Sequence, residues 1–139
     1  MKTTALVAGS TGIIGRYLTE QLASIGWQVY ALARNPAAAT PGVEPIAADL
    51  LDAGTLKQKL REVTPNHVFF TTWLRQPTEE LSCEVNGAML ENLLSALGDA
   101  PDLRQVALVT GGKNYFGSFD DQREGGYSVT TPLREEQPR

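Results

Sequence analysis

A chain of 139 residues, 42% of them hydrophobic, is long and apolar enough for one ordinary core, which excludes disordered and collagen-like classes. Twelve Lys and Arg against sixteen Asp and Glu leave a net charge of -4 with no run of like charges, so nothing in the balance recruits a nucleic acid or an anionic membrane. A single cysteine, Cys83, excludes an internal disulfide framework and suits a reducing compartment, and a single histidine, His67, argues against a His-based metal site or a Ser-His-Asp triad. Ahead of Gly9 the N-terminus carries an apolar run of only four residues, Ala5-Leu6-Val7-Ala8, too short for a signal peptide or a membrane span, and the expected location is the cytoplasm.

In chain order, residues 4–8 predict a strand that runs into a cluster of glycines. Ile14, Leu18, Leu22 and Ile25 then recur at spacings of four, four and three, a helix burying that line. Gly26 stands where a helix-terminating glycine belongs, and 27–33 is a β-rich segment. Asn35-Pro36 and Pro41-Gly42 bracket a loop before a weaker strand, Val43–Ala47, and a helix over 52–63 with Leu56 and Leu60 on one face. Residues 67–72 read as a buried strand. Glu79–Leu97 is the longest helical segment, its broad apolar face made by Leu81, Val85, Met89, Leu90, Leu93, Leu94 and Leu97. Gly98 and Pro101 end it, and 105–110 is a fifth strand.

Strands alternating with helices imply an α/β fold, a Rossmann-type doubly wound parallel sheet in the order 3-2-1-4-5 with right-handed crossovers. Residues 1–110 are expected to form this Rossmann domain. The stretch 111–139 has no periodicity and reads as a tail without regular structure, either a functional, active-site loop or a segment whose packing partners lie outside this chain.

The most informative segment is Gly9-Ser10-Thr11-Gly12-Ile13-Ile14-Gly15, a G-x-x-G-x-x-G spacing between a predicted strand and a predicted helix. Gly9 permits the tight turn off the strand, Gly12 lets a pyrophosphate approach the backbone, and Gly15 lets the helix pack close to the sheet. The helix N-terminal N–H groups are thereby aimed at the phosphates. Gly9, Thr11, Gly12, Ile13, Ile14 and Gly15 are therefore candidate cofactor-binding residues; the competing reading is that the glycines serve the turn and its packing alone.

Arg34 occupies the end of the second strand, where a carboxylate would bind the ribose hydroxyls of NAD. A cation there suits a 2′-phosphate, which favours NADPH over NADH, unless Arg34 is only a solvated residue at a loop entrance. Asp49, beside Leu50 after the third strand, accepts a hydrogen bond from an adenine amino group or else caps the next helix. Thr72, Trp73 and Thr110 lie at the carboxyl ends of the fourth and fifth strands, where ligands of open α/β sheets sit. Trp73 either flanks the nicotinamide side of the cleft or is a buried aromatic. His67, at the opposite end of its strand, reads as a surface residue, and Cys83 as a small packing residue.

The glycine spacing resembles the short-chain dehydrogenase/reductase superfamily in its extended and atypical forms. With Ala33-Arg34-Asn35-Pro36, His67-Val68-Phe69-Phe70-Thr71-Thr72-Trp73, Asn86, Met89 and Asn92 on the long helix, and above all Thr110-Gly111-Gly112-Lys113-Asn114-Tyr115-Phe116-Gly117, the chain resembles the progesterone 5β-reductase/iridoid synthase-like family. The resemblance implies NADPH-dependent reduction of enones and makes Lys113 the candidate catalytic residue. Asn35 departs from the family's second arginine, leaving one guanidinium for a 2′-phosphate. Members of that family are longer, with a catalytic tyrosine a little beyond the segment matched by 132–139. The resemblance thus covers the N-terminal part of the family fold, and neither Tyr115 nor Tyr127 takes that tyrosine's place.

Three readings remain open from sequence. The chain is the cofactor portion of an NADPH-dependent reductase of enones or carbonyls, with a small-molecule substrate, or of a related epimerase/dehydratase-type protein. It is alternatively a non-catalytic dinucleotide-binding or sensor module. In the third, the long helix or the fifth strand forms a homodimer, although the helix's apolar stripe reads first as core.

Overall fold

The apolar run that opens the chain is a strand, β1 (Thr4–Ala8), in which Ala5, Leu6, Val7 and Ala8 are fully buried. A strand buried on both faces carries no hydrophobic alternation, and this one lies at the centre of a five-stranded parallel sheet ordered β3-β2-β1-β4-β5. Its partners are β2 (Gln28–Ala33), β3 (Val43–Ala47), β4 (His67–Phe70) and β5 (Gln105–Leu108), with Val7 in register between Ala31 and Phe69. The computed structural model describes residues 2–111, and the chain divides into two compact units, 1–109 and 110–139.

Helix α1 (Ile13–Ser24) covers one face of the sheet, where Leu22 packs with Ala5, Val7 and Val29. On the other face, α2 (Ala53–Leu60) and α3 (Glu79–Leu97) enclose the larger core of Leu6, Leu32, Val68 and Phe70 with Leu56, Leu60, Met89 and Leu93. The connection between β2 and β3 carries no helix, so α1 is alone on its face among the described elements. Among the described residues no helix is long and apolar enough to cross a membrane.

The element ends follow from local chemistry. After α1, the Gly26 N–H donates to the Ala23 carbonyl and the Trp27 N–H to the Leu22 carbonyl, the Schellman pattern, with Gly26 at φ +88°. Asp52 caps α2 by accepting from the Thr55 N–H at 3.0 Å, and Thr78 caps α3 by accepting from the Leu81 N–H at 3.2 Å. Glu79 and Glu80 put negative charge on the first turn of α3, which favours the helix dipole.

Two helices bury different lines from those the apolar periodicity predicts. In α1 the buried line is Gly15, Thr19 and Leu22, while Ile14 is 51% exposed and Ile25 stands in solvent beyond the last turn. Gly15 has no side chain, so the helix lies down on that residue and turns Ile14 outward. The Thr19 hydroxyl tolerates burial by donating to the Gly15 carbonyl at 2.7 Å. In α3 the buried line is Ser82, Asn86, Met89 and Leu93, whereas Leu81 and Leu94 are exposed. Its first half is polar because it faces loop backbone that needs partners. Cys83, one position round from Ser82, is exposed and so is not a packing residue.

Candidate cofactor site

The carboxyl ends of β1, β2, β3 and β4 converge on a cleft of about 400 Å³. Its foot is the glycine turn. The N–H groups of Gly9 and Ser10 both donate to the Leu32 carbonyl, at 2.9 and 3.1 Å, which ties the turn to the end of β2. Gly9 sits at φ +88°, and a Cβ there would stand 2.9 Å from Thr72 Cβ. At Gly15 a Cβ would collide with the Gly9 carbonyl and come within 2.8 Å of Thr71 Oγ1. Both positions therefore require glycine, for different reasons.

Thr71 closes the turn from the β4 side. Its hydroxyl donates to the Ala8 carbonyl at 2.8 Å, and its backbone N–H donates to the same oxygen at 2.9 Å. Gly12, in extended conformation, is the N-cap of α1 and supplies no side-chain cap, and the first turn holds no acidic residue. A helix start leaves its first N–H groups unbonded within the helix, and this one presents them without a side-chain cap beside Gly9 and Gly12. That cradle, with room at the turn and no competing carboxylate, fits the pyrophosphate of a dinucleotide.

Of the residues singled out in the sequence, Gly9, Thr11, Gly12, Arg34, Asp49, Leu50, Thr72 and Trp73 line this one cleft. Gly15 lies buried behind the turn. Ile13 and Ile14 face a different, shallow hollow along the outer side of α1, lined also by Tyr17, Leu18 and Gln21. That hollow is wider, but it is an open apolar surface on one helix without converging polar groups, so the strand-end cleft is the better site. Thr110 belongs to the second unit, and Lys113 lies outside the described residues.

The structure places two residues for which the sequence left alternatives. The carboxylate that caps α2 is that of Asp52. Asp49 instead turns one oxygen back onto the Leu51 N–H at 2.9 Å, making a tight turn at the rim of the cleft. Trp73 is not a buried aromatic, being 62% exposed at the opposite rim. His67 departs from expectation at the far end of the sheet, half-buried with its ring centroid 4.8 Å from that of Trp27.

Leu51, Thr71 and Leu74, which nothing in the sequence marks as site residues, also line the cleft, as does Met89 from the apolar face of α3. In sequence, Asn86 and Asn92 carry only a resemblance. The Asn86 amide accepts from the Leu74 N–H and donates to the Leu74 carbonyl, both at 2.8 Å, and Ser82 Oγ accepts from the Gln76 N–H at 3.1 Å. Asn92 Nδ2 donates to the Leu50 carbonyl at 2.9 Å. The signal available in sequence was the break in apolarity on the inner face of α3 at Ser82 and Asn86.

The model of the NAD dependent epimerase/dehydratase family matches residues 5–138. The (S)-8-oxocitronellyl enol synthase of Nepeta cataria is 36% identical over 148 aligned positions, covering 99% of this chain and 38% of that protein. The 3-oxo-Delta(4,5)-steroid 5-beta-reductase of Arabidopsis thaliana is 38% identical, with coverage of 99% and 38%. The chain thus spans little more than a third of these relatives' length. In fold it is similar to the Bordetella bronchiseptica enzyme WbmH in complex with NAD+, with a TM-score of 0.75 at 16% identity over 100% of this chain and 46% of that one. The glycine turn, the sheet order and the match along nearly the whole chain have one common explanation: this chain belongs to the NAD dependent epimerase/dehydratase family.

Proposed function

We propose that the chain is the NADPH-binding portion of an oxidoreductase that reduces enones or related carbonyl compounds. The observation that carries this reading is the uncapped glycine turn at the start of α1, opening on a cleft that Arg34 borders at the end of β2. The free N–H groups at the start of α1 bind the pyrophosphate, and the guanidinium of Arg34 pairs with the ribose 2′-phosphate. The free oxygen of Asp49 accepts from the adenine amino group. Trp73 shields the cleft rim from water. Similarity to an enol synthase and a steroid 5-beta-reductase supports reduction of an activated double bond, and the resemblance makes Lys113 the candidate active-site ammonium. Nicotinamide, when bound, supplies the hydride.

Calorimetric titration with NADPH and NADH tests the binding part, and addition of 2-cyclohexen-1-one with absorbance read at the nicotinamide band tests the chemistry. Tighter binding of NADPH is the expected result; absence of binding to either nucleotide in a folded sample rejects the reading. A second reading, an NAD-dependent epimerase/dehydratase-type protein, is favoured by the matched family and by the single guanidinium left by Asn35. Equal or tighter binding of NADH distinguishes it. NADPH binding without turnover of any enone instead favours a non-catalytic binding module.

A further inference from the structure

The cleft has two lips that belong to different crossovers. One is the 48–52 loop between β3 and α2, and the other is the 71–78 loop between β4 and α3. Each is gripped by a side-chain amide from the same helix. Asn86 holds Leu74 through a reciprocal pair of hydrogen bonds and donates to the Ser82 carbonyl at 2.7 Å, while Asn92, six residues on, holds the Leu50 carbonyl. Those six residues span roughly 9 Å of helix rise. Met89 sits midway between the two amides, buried, and lines the cleft between the lips.

Leu50, Leu51, Leu74 and Met89 give the slot apolar lining within a cleft that also carries Arg34, Asp49, Thr71 and Thr72. Leu51 stands 46% exposed on one lip and Trp73 stands exposed on the other, an arrangement that suits a flat heteroaromatic ring. The first lip is locked at both ends. Asp49 takes the Leu51 N–H, Asp52 N–H donates to the Asp49 carbonyl at 3.1 Å, and Asn92 fixes the carbonyl in between. Removing the Asn92 donor leaves that carbonyl without its helix anchor and frees Leu50 and the Asp49 carboxylate to move away from the base.

We infer that Asn92 is a positioning residue for purine recognition: acting through Leu50 without touching the ligand, it sets the width of the base slot and the reach of Asp49. The inference rests on the dinucleotide-binding reading and adds to it the group that makes the slot selective for one base. The helix that carries Asn92 is held on the core by Leu93 and Met89 as well as through Leu50 of the lip, so loss of the amide removes one of several contacts that seat it.

The test is calorimetric titration of the wild-type chain and of Asn92→Leu and Asn92→Asp with NADPH and with its hypoxanthine analogue, alongside thermal melting. Hypoxanthine presents a carbonyl where adenine has its amino group, so a fixed Asp49 carboxylate disfavours it. Asn92→Leu keeps the shape without the donor, and Asn92→Asp sets a carboxylate against the Leu50 carbonyl. The expected result is wild-type preference for NADPH, and about three- to tenfold weaker NADPH binding in both variants, the scale of one hydrogen bond. The preference between the two nucleotides falls toward one, with melting close to wild type. Unchanged affinity and preference in both variants overturns the inference and leaves the cofactor reading intact. Equal weakening of both nucleotides together with a large fall in melting temperature also overturns it, since the role is then only structural. Absence of binding by the folded wild type removes the cofactor reading itself, and the inference with it.

Discussion

Gly15 leaves no room for a side chain, because the carbonyl of Gly9 and the hydroxyl of Thr71 both occupy the space a Cβ would take. Gly15→Ala forces the turn away from α1 and is expected to cost about 1–3 kcal/mol of stability, the scale of overpacking at a tight contact. Nucleotide affinity should fall with it. Thermal melting and calorimetry on the same sample measure both, and an unperturbed variant would show that α1 shifts freely. Arg34 acts by charge and not by packing, being exposed at the cleft edge. Arg34→Ala should weaken NADPH by about 10- to 100-fold, as loss of a charge-assisted hydrogen bond does, and leave NADH within a small factor. The ratio of the two dissociation constants reads that outcome, and equal losses would place Arg34 away from the 2′-phosphate.

The helices respond through their ends and exposed faces. Hydrogen bonds from the Thr55 N–H and hydroxyl hold the Asp52 carboxyl below the usual carboxylate value near 3.8. A group with its folded pKa depressed stabilises the fold above its unfolded pKa, and that stability is lost as pH falls through the folded pKa. Asp52→Ala should therefore melt below wild type at neutral pH, with the gap narrowing once the pH drops under the carboxylate range. Melting curves across that window check the sign. Gly87, in the middle of α3, is exposed, and nothing lies within 4 Å of the Cβ position. Gly87→Ala is expected to stabilise the chain by about 0.5–1 kcal/mol, from the helix propensity of alanine alone. A destabilised Gly87→Ala would point to a partner that approaches this face closely.

At the scale of the molecule, the site is a property of the sheet. Four strand ends from separate crossovers build one cleft, and α3 reaches from its far side to hold two of the loops between them. A ligand that engages both lips and the glycine turn binds only the assembled fold. NADPH at a hundred times its dissociation constant should then stabilise the chain by about 2.7 kcal/mol, read as a concentration-dependent rise in melting temperature. The fifth strand is a sparsely covered edge of the sheet, with Val106 and Leu108 exposed on it and Val109 exposed just beyond its end. Such an edge is managed in folded proteins by pairing or covering, whichever chain supplies the cover.

The order of the sheet was legible from the sequence because a strand buried on both faces has to be continuously apolar, as Ala5-Leu6-Val7-Ala8 is, and because alternation with helices, at every crossover but that from β2 to β3, forces parallel pairing. The phosphate turn was legible for a similar reason: glycine is the only residue that fits at Gly9 and Gly15, so the geometry leaves its mark in residue type. What faces inward on a helix was decided by the tertiary structure. Apolar spacing selected Ile14 and Leu81, whereas packing chose Gly15 for closeness and Ser82 and Asn86 for the loop backbone they satisfy. The division of labour between Asp49 and Asp52 was settled in the same way. Two carboxylates three positions apart are equivalent in sequence, and only the path of the chain made one a helix cap and turned the other to the rim of the cleft. Periodicity reports which residues avoid water, while hydrogen bonds to distant backbone depend on where that backbone goes.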